Sequence, residues 1–427
     1  MFLRAFRRSP LRRYTRAVIL LAVFIAFLDL FSLLSKYRTF QHNLAAATVE
    51  EPNELPLSLR DQKILICAQF WTSGYALTSH WNDDLLDLIG KLGPHNVYVS
   101  IYESGSLDGT KEALKLLDAR LKSIGVQKMI VLDPTTHEDE VSKIPEEGTP
   151  GWIHTPRSGD AKELRRISYL ARLRNKVLQP LYDGSTSMTF DKILFLNDID
   201  FRPSDVMTLL ATRNGRYSVA CALDFIHPPR YYDTFVLRDM EGRSTATETF
   251  PYFRGGESRR SMLEGQATRV QSCWNGMLIM DPAPFIPTSR NKAALQFRGI
   301  NDSLAEWHLE GSECCLIHAD LAAMGEDRAG IWVNPAVRVG YSIKAYEAVH
   351  DESGIGWMSP KEYVVGVYRN RVVRWINNEW WLRIRVKKRL NAWAAEGREK
   401  GETRVEPGAM CLVDEMQVLI WNGWAHV

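Results

Sequence analysis

Apolar runs of strand length alternate with apolar positions at helical spacing along most of the chain. Residues 63–68, Lys-Ile-Leu-Ile-Cys-Ala, read as a buried strand, and Leu85, Leu86, Leu88, Ile89 and Leu92 then share one face of a helix over 82–92. A second strand over 96–102 runs into the turn Glu-Ser-Gly-Ser-Leu-Asp-Gly-Thr at 103–110, followed by a helix over 111–124 and a third strand over 126–132. Strand–helix alternation of this kind predicts a parallel sheet in a Rossmann-like half-domain. Residues 133–160 are rich in Pro, Gly and charge and read as a long loop. Leu164, Ile167, Leu170, Ala171 and Leu178 set a helix over 161–181. The apolar run 193–196 is a buried strand that ends in three polar groups, Asn197, Asp198 and Asp200. A helix over 203–212 follows, then a strand over 218–223 that ends at Asp224. Residues 225–271 are irregular and rich in Arg, Tyr and Gly. Short strands over 277–280 and within 331–341 complete the pattern, and the part beyond Pro360, rich in Trp, Arg and Lys, has no clear role.

The N-terminus departs from this alternation. Residues 17–34 are almost wholly apolar, interrupted by Asp29 and Ser32. Eighteen helical residues span about 27 Å, enough for the hydrocarbon core of a bilayer. Arg4, Arg7, Arg8, Arg12, Arg13 and Arg16 precede the run with no acid among them, which predicts a cytosolic N-terminus and a translocated body. An uncleaved anchor fits better than a cleaved signal peptide, although Ala45-Ala46-Ala47 is a late candidate cleavage site. Asp29 is costly near a bilayer centre and tolerable toward the far end. Residues 36–60 have no period and read as a stem. The net charge of +2 turns acidic once the six arginines are set aside, so the body is not a nucleic-acid binder by charge. The 427 residues, 45% hydrophobic and 24% charged, suit one large globular domain or two ordinary ones. Six cysteines without a C-x-x-C pair argue against a zinc framework, and pairing among Cys221, Cys273, Cys314 and Cys315 is left open.

Candidate chemistry gathers at the strand ends. In an open α/β sheet, ligands bind beyond the carboxyl ends of the strands. Asp198 and Asp200 there repel each other unless a cation sits between them, and Asp-x-Asp suits a hard divalent ion, Mn²⁺ or Mg²⁺, bridging protein and diphosphate. Helix capping or a turn is the competing reading. In the turn 103–110, Glu103, Ser104 and Asp108 can bond a ribose or a base edge, although turn chemistry alone explains them. Arg166 and Arg174, eight apart, fall near one helix face with Asn175 beside them, and guanidinium groups suit a diphosphate. Trp274-Asn275-Gly276 suits a flexible loop that closes on a sugar, or a core Trp beside a turn. Glu313, His318 and Asp320 lie within two helical turns. Glu313 can take a proton from an acceptor hydroxyl or stabilise charge on a sugar ring. His318 and His350 are each either a third metal ligand or a core histidine.

As a set these motifs resemble the fungal capsular α-1,3-mannosyltransferase family, glycosyltransferase family 69. The matching pieces are 103–110, Arg-Ile-Ser-Tyr-Leu-Ala-Arg-Leu-Arg-Asn at 166–175, Leu-Phe-Leu-Asn-Asp at 194–198, Ala-Cys-Ala-Leu-Asp-Phe at 220–225, Tyr-Asp-Thr-Phe-Val-Leu-Arg-Asp at 232–239 and Ser-Glu-Cys-Cys at 312–315. The resemblance covers about residues 63–341. It implies an α/β GT-A fold, a Rossmann-like mixed sheet flanked by helices, behind an N-terminal transmembrane helix. It also implies a type II Golgi membrane protein, GDP-mannose as donor, a glycan or polysaccharide acceptor, Mn²⁺ or Mg²⁺, and retention of configuration. In the family pattern Asn197-Asp198 is steadier than Asp200. The order of a Gly loop, an acid and a His after the metal motif assigns Gly276, Glu313, and His318 or His350. Retention runs either by front-face attack or by double displacement, with Asp224, Asp239 or Glu313 as nucleophile. The expected layout is a basic tail over 1–16, an anchor over 17–35, a stem over 36–60, a catalytic domain over 61–345 and an extension over 346–427. The alternatives are a UDP-sugar donor on the same fold, or a luminal glycan-binding subunit without turnover.

Overall fold

The strand–helix alternation that begins at residue 63 folds as its apolar pattern predicts. The computed structural model describes residues 10–287, 294–350, 356–377 and 379–427; Arg4, Arg7 and Arg8 of the basic tail lie outside them. One long helix, α1 (Pro10–Ala47), precedes the body. The first half-domain is β1 (Ile64–Phe70), α2 (Asn82–Leu92), β2 (Val97–Ser104), α3 (Thr110–Ser123) and β3 (Gln127–Asp133). It is followed by α4 (Arg166–Val177), β4 (Lys192–Leu196), α5 (Pro203–Leu210) and β5 (Val219–His227). Then come β6 (Arg238–Asp239), β7 (Thr268–Ser272), β8 (Met277–Met280), α6 (Glu313–Ala323) and β9 (Ile331–Gly340). The C-terminal part holds α7 (Pro360–Ile376), α8 (Trp380–Glu399) and a hairpin of β10 (Gln417–Ile420) and β11 (Gly423–His426).

These strands build one ten-stranded mixed sheet in the order β3-β2-β1-β4-β8-β5-β9-β7-β6, with a short strand Arg230–Tyr231 on β5. Strands β3, β2, β1 and β4 are parallel, β8 runs antiparallel between β4 and β5, and β9 is parallel to β5. The strands alternate between two cores, as a sheet covered on both faces requires. Ile64, Ile66, Leu194 and Leu196 pack with α2, α3 and α5 on one face. Leu65, Cys67, Ile193 and Phe195 pack with α4 and α6 on the other.

Four stretches differ from the sequence reading. The stem is helical to Ala47 and docked: Phe40 and Leu44 are buried, and the Phe40 ring lies 5.3 Å from that of Phe250 and 5.5 Å from that of Tyr363. The helix placed over 161–181 shortens to Arg166–Val177, because Glu163–Leu164 pairs as a strand with Trp152–Ile153. The irregular stretch 225–271 contains β6, a helix Gly256–Leu263 and β7, which form the far edge of the sheet. The C-terminal part is bound into the body by the Cys315–Cys411 disulfide and by Arg298, which bridges Asp320 (2.7 Å) and Glu406 (2.8 Å). A second disulfide joins Cys221 and Cys273, and Cys67 and Cys314 are buried thiols.

Candidate active site

The parallel strands β1, β4 and β5 end at one edge of the sheet, and β8 begins there. Strand β4 stops because its next residues bond outward instead of along the ladder. Asn197 donates its backbone N–H to the Gly276 carbonyl (2.9 Å) and accepts the Trp81 indole N–H at its own carbonyl (2.9 Å). Its side-chain oxygen receives the Trp274 indole N–H (3.4 Å). A tight turn, Ile199 N–H to Asn197 carbonyl (2.9 Å), then presents Asp198, whose Oδ2 accepts from the Ser73 hydroxyl (3.1 Å). Burial raises the Asp198 pKa, and the Ser73 bond offsets it only partly. The charge of Asp198 in turn raises the pKa of Tyr341 and Tyr232, after the larger effect of their own burial and that of Asp224.

Asn275 and Gly276 form the floor of this edge. Both hold left-handed backbone, φ 64° and 73°. The fully buried Asn275 amide donates to the Ala222 carbonyl (2.6 Å) and accepts from the Tyr231 hydroxyl (2.5 Å), while its backbone N–H reaches Asp233 Oδ2 (3.2 Å). A Cβ at Gly276 would stand 3.0 Å from Ile199 Cγ2, 3.3 Å from Val339 Cγ2 and 3.4 Å from Asp224 Cβ. The segment is therefore a fixed support wedged under the metal-suited turn. The flexible closing loop expected from Trp-Asn-Gly does not form, since every polar atom of Asn275 already has a protein partner.

Carboxylates line the wall. Asp224 on β5 is fully buried; its Oδ1 accepts from the Asp233 backbone N–H (3.2 Å) and its Oδ2 from the Tyr341 hydroxyl (3.3 Å). Burial and the Asp233 charge push its pKa well up. Asp233 is pushed up to about 6, by burial first, with Glu313 adding to it. Glu313, at the start of α6, accepts from Arg174 Nε (2.8 Å), and the Arg174 guanidinium lies 4.1 Å from the centre of the Trp274 ring. A ridge thus runs from Trp274 through Arg174 and Glu313 to the Asp224–Asp233 pair. Asp233 went unassigned in the sequence; its one signal was its place in the motif at 232–239, and what singles it out is a backbone bond across 42 residues of chain.

The other sequence candidates lie elsewhere. Asp200 parts from Asp198: it lines a cavity of about 350 Å³ with His80, Asp84 and Arg202, and its backbone bridges Gly340 (2.6 Å). His318 is fully buried with Nε2 against the Cys273 carbonyl (2.6 Å), so as a metal ligand it is corrected to a core residue; burial holds its pKa down to about 4. His350 stacks on Tyr346, 4.1 Å between ring centres. Asp239 is fully buried and accepts from the backbone N–H groups of Glu241 (2.9 Å), Arg243 (3.0 Å) and Gly255 (2.5 Å), which makes it a loop organiser at the far edge of the sheet. Asn175 exchanges two bonds with the Phe297 backbone, 2.8 and 2.9 Å, and is likewise structural. Glu103 pairs with Lys111 (2.8 Å), Ser104 bonds the Phe70 carbonyl (3.4 Å), and Asp108 caps Gly74 (2.9 Å) and Thr110 (3.0 Å). These three build the turn at the end of β2. Arg166 is held by Gln417 (2.6 Å) and Trp424 (4.7 Å to the ring centre) of the C-terminal hairpin, near enough to Tyr232 to lower its pKa. Among the described residues no group of three His, Cys, Asp or Glu is close enough to hold a metal without other ligands.

The structure is a mixed sheet flanked by helices, with polar residues gathered at the carboxyl end of β4. The chain belongs to the cryptococcal mannosyltransferase 1 family, whose profile matches residues 63–320. It is 25% identical over 307 residues to the alpha-1,3-mannosyltransferase CMT1 of Cryptococcus neoformans var. neoformans serotype D, a match covering 66% of this chain and 59% of the relative. The chain thus spans about six-tenths of the length of that relative. Solved structures matched by the chain include the mannosyltransferase PcManGT of Pyrobaculum calidifontis in complex with GDP-Man and Mn²⁺, at 11% identity, 89% and 88% coverage and a TM-score of 0.35. TarS 1–349 of S. aureus matches at 11% identity, 73% and 65% coverage and a TM-score of 0.34. Neither is near enough to transfer a residue or a ligand.

Proposed function

We propose that this chain is a retaining mannosyltransferase that moves mannose from GDP-mannose to a glycan hydroxyl in α-1,3 linkage, with Mn²⁺ or Mg²⁺ at Asp198. The observation that carries the proposal is the gathering of Asp198, the Asp224–Asp233 pair and the Arg174–Glu313 pair at one edge of the sheet, in a chain of this family. Asp198 fits the ion: it is an oxygen donor whose charge burial penalises, and hard cations of this class take one or two protein carboxylates and fill the shell with phosphate and water. When bound, the ion supplies charge to neutralise the leaving diphosphate. Ser73 and the turn around Asn197 hold Asp198 in place. Arg166, at the rim, meets phosphate charge. An ionised member of the Asp224–Asp233 pair stabilises the positive charge at the anomeric carbon, as an ion pair or as a covalent nucleophile that the acceptor then displaces. Arg174 positions Glu313 beside that pair.

In this reading the body lies on the luminal side of a Golgi membrane. Six arginines ahead of an apolar helix and two disulfides in the body support that orientation. The test is GDP-mannose hydrolysis and transfer by the full-length protein in detergent, with and without EDTA. EDTA and Asp198→Ala are each expected to lower turnover by at least about a hundredfold, the loss of several kcal/mol of charge stabilisation, with the folded state retained. A metal-stimulated, active Asp198→Ala enzyme would remove Asp198 from the site.

A further inference from the structure

The sequence holds one Asn-x-Ser/Thr triplet, Asn301-Asp302-Ser303, and the proposed transfer does not use it. Such a triplet is the acceptor for N-glycosylation in a translocated chain, and chance alone supplies many that are never modified. What decides is whether the amide nitrogen is free and faces solvent. Around Asn301 the side chains are sorted by direction. The Ile300 carbonyl accepts from Arg165 Nη1 (2.8 Å), and the Asp302 carboxylate accepts from the same Nη1 (2.8 Å) and from the Gly151 backbone N–H (2.8 Å). Arg165 is itself fully buried and paired with Glu310 (2.6 Å), so this anchorage does not swing away. With Asp302 turned toward Arg165, Asn301 is left exposed.

The two ends of the Asn301 amide are used differently. Its Oδ1 accepts from the Ser303 backbone N–H (2.9 Å) and from the Ser303 hydroxyl (2.8 Å). Its Nδ2 meets no acceptor among the described residues. The atom that would carry a glycan is therefore the one the fold leaves alone, and the turn survives its modification because Oδ1 holds it. The Ser303 hydroxyl, which recognition of the triplet requires, is bonded in the folded protein to Asn301 and to the Trp393 indole N–H (2.9 Å). Trp393 lies 90 residues further along the chain. The hydroxyl is thus open while the triplet enters the lumen, and it is claimed only when α8 docks.

We propose that Asn301 is N-glycosylated during translocation, by transfer from a lipid diphosphate-linked oligosaccharide. Asn301 Nδ2 forms a bond to the anomeric carbon of the first sugar and gives up one proton. The bond from that carbon to the diphosphate oxygen breaks, and the lipid diphosphate leaves. The proposal rests on the luminal placement of the body given above. It needs only that the body be translocated, and it holds whether α1 stays as an anchor or is removed. The glycan stands where the catalytic body meets α8, on the solvent side of the Ser303–Trp393 bond.

The test is the gel mobility of the full-length protein made in a eukaryotic cell, with and without peptide N-glycosidase. Expected is a shift of one glycan that the glycosidase removes. The shift should be absent in Asn301→Asp, which keeps the Oδ1 acceptor and loses Nδ2. It should be absent too in Ser303→Ala, where Asn301 is intact and the hydroxyl is gone. Asp183→Asn in the Asn301→Asp background is the control. It creates an Asn-Gly-Ser triplet in an exposed turn, where Asp183 Oδ1 already accepts from the Ser185 backbone N–H (2.8 Å) as Asn301 Oδ1 does from Ser303. A shift in this control with none in the wild type would overturn the modification of Asn301 and leave the luminal placement standing. A shift in neither would overturn the luminal placement, and the modification with it.

Discussion

Gly276→Ala is the sharpest test of the site as a packed unit. The residue sits at φ 73°, where a side chain costs about 1–2 kcal/mol. The new Cβ would meet Ile199 Cγ2 at 3.0 Å, Val339 Cγ2 at 3.3 Å and Asp224 Cβ at 3.4 Å. None of these can swing aside, because Ile199, Val339 and Asp224 are all within the buried core of the sheet edge. Overpacking of this kind costs about 1–3 kcal/mol. Together the two effects come to about 2–5 kcal/mol, or a fall of roughly 2–6 °C in melting temperature for a chain of this size. Relief must move the turn that carries Asp198 or the strand that carries Asp224, and a misplacement of about 1 Å costs roughly a hundredfold in rate. The assay is thermal unfolding alongside turnover of GDP-mannose. Gly256→Ala serves as the control: it has no neighbour within 4 Å and lies at the start of a helix, so it should be neutral or slightly stabilising. A Gly276→Ala protein with wild-type melting and turnover would refute the reading that this residue supports both sides of the site.

Arg174→Met should leave Glu313, 3% exposed at its side chain, buried without its counter-charge, at a cost of about 3–5 kcal/mol. The double variant with Glu313→Gln should recover part of that loss, and a melting-temperature cycle over the four proteins checks it. The pH dependence follows from the Asp224–Asp233 pair. Both folded-state pKa values lie above those of the unfolded chain, so the pair's contribution to stability is full below the unfolded value and is lost as pH rises through about 6. Thermal unfolding across pH 4–8 reads that slope, and Asp233→Asn should flatten it, since removing one charge lowers the pKa of Asp224.

The sheet was legible wherever a strand is apolar on both faces. Runs such as 64–68 and 193–196 are buried by two cores and carry no charged residue that could mislead. Strands β6 and β7 were not legible, because they contain Arg238, Asp239, Thr268 and Ser272. Their burial is met by tertiary bonds, among them Arg238 to the Met410 carbonyl (2.8 Å), that only the fold supplies. Residues 36–47 were read as a stem for the opposite reason. Phe40 and Leu44 are too sparse to show a period, yet a few large residues suffice once α7 and the Phe250 loop close over them.

The same limit explains the site. Asp198 was visible because it stands two residues past the end of a buried strand, and Arg174 because its helix has a clear apolar period. Asp200 looked equivalent to Asp198 on spacing alone. Two residues of extended chain would put both side chains on one face, but the Asn197–Ile199 turn breaks that geometry and sends Asp200 to the cavity of His80 and Asp84. Asp239 and His318 were acid and imidazole without a stated partner, and for such residues the deciding fact is how many of their polar atoms the backbone has already claimed. Asp239 accepts three backbone N–H groups and His318 meets a carbonyl, whereas Asp198 accepts a single hydroxyl. Asp233 shows the converse. It reads as one more acid in a loop, and it becomes part of the site because its backbone N–H reaches Asp224 while its carboxylate receives Asn275, joining two strand ends that are neighbours only in the folded sheet.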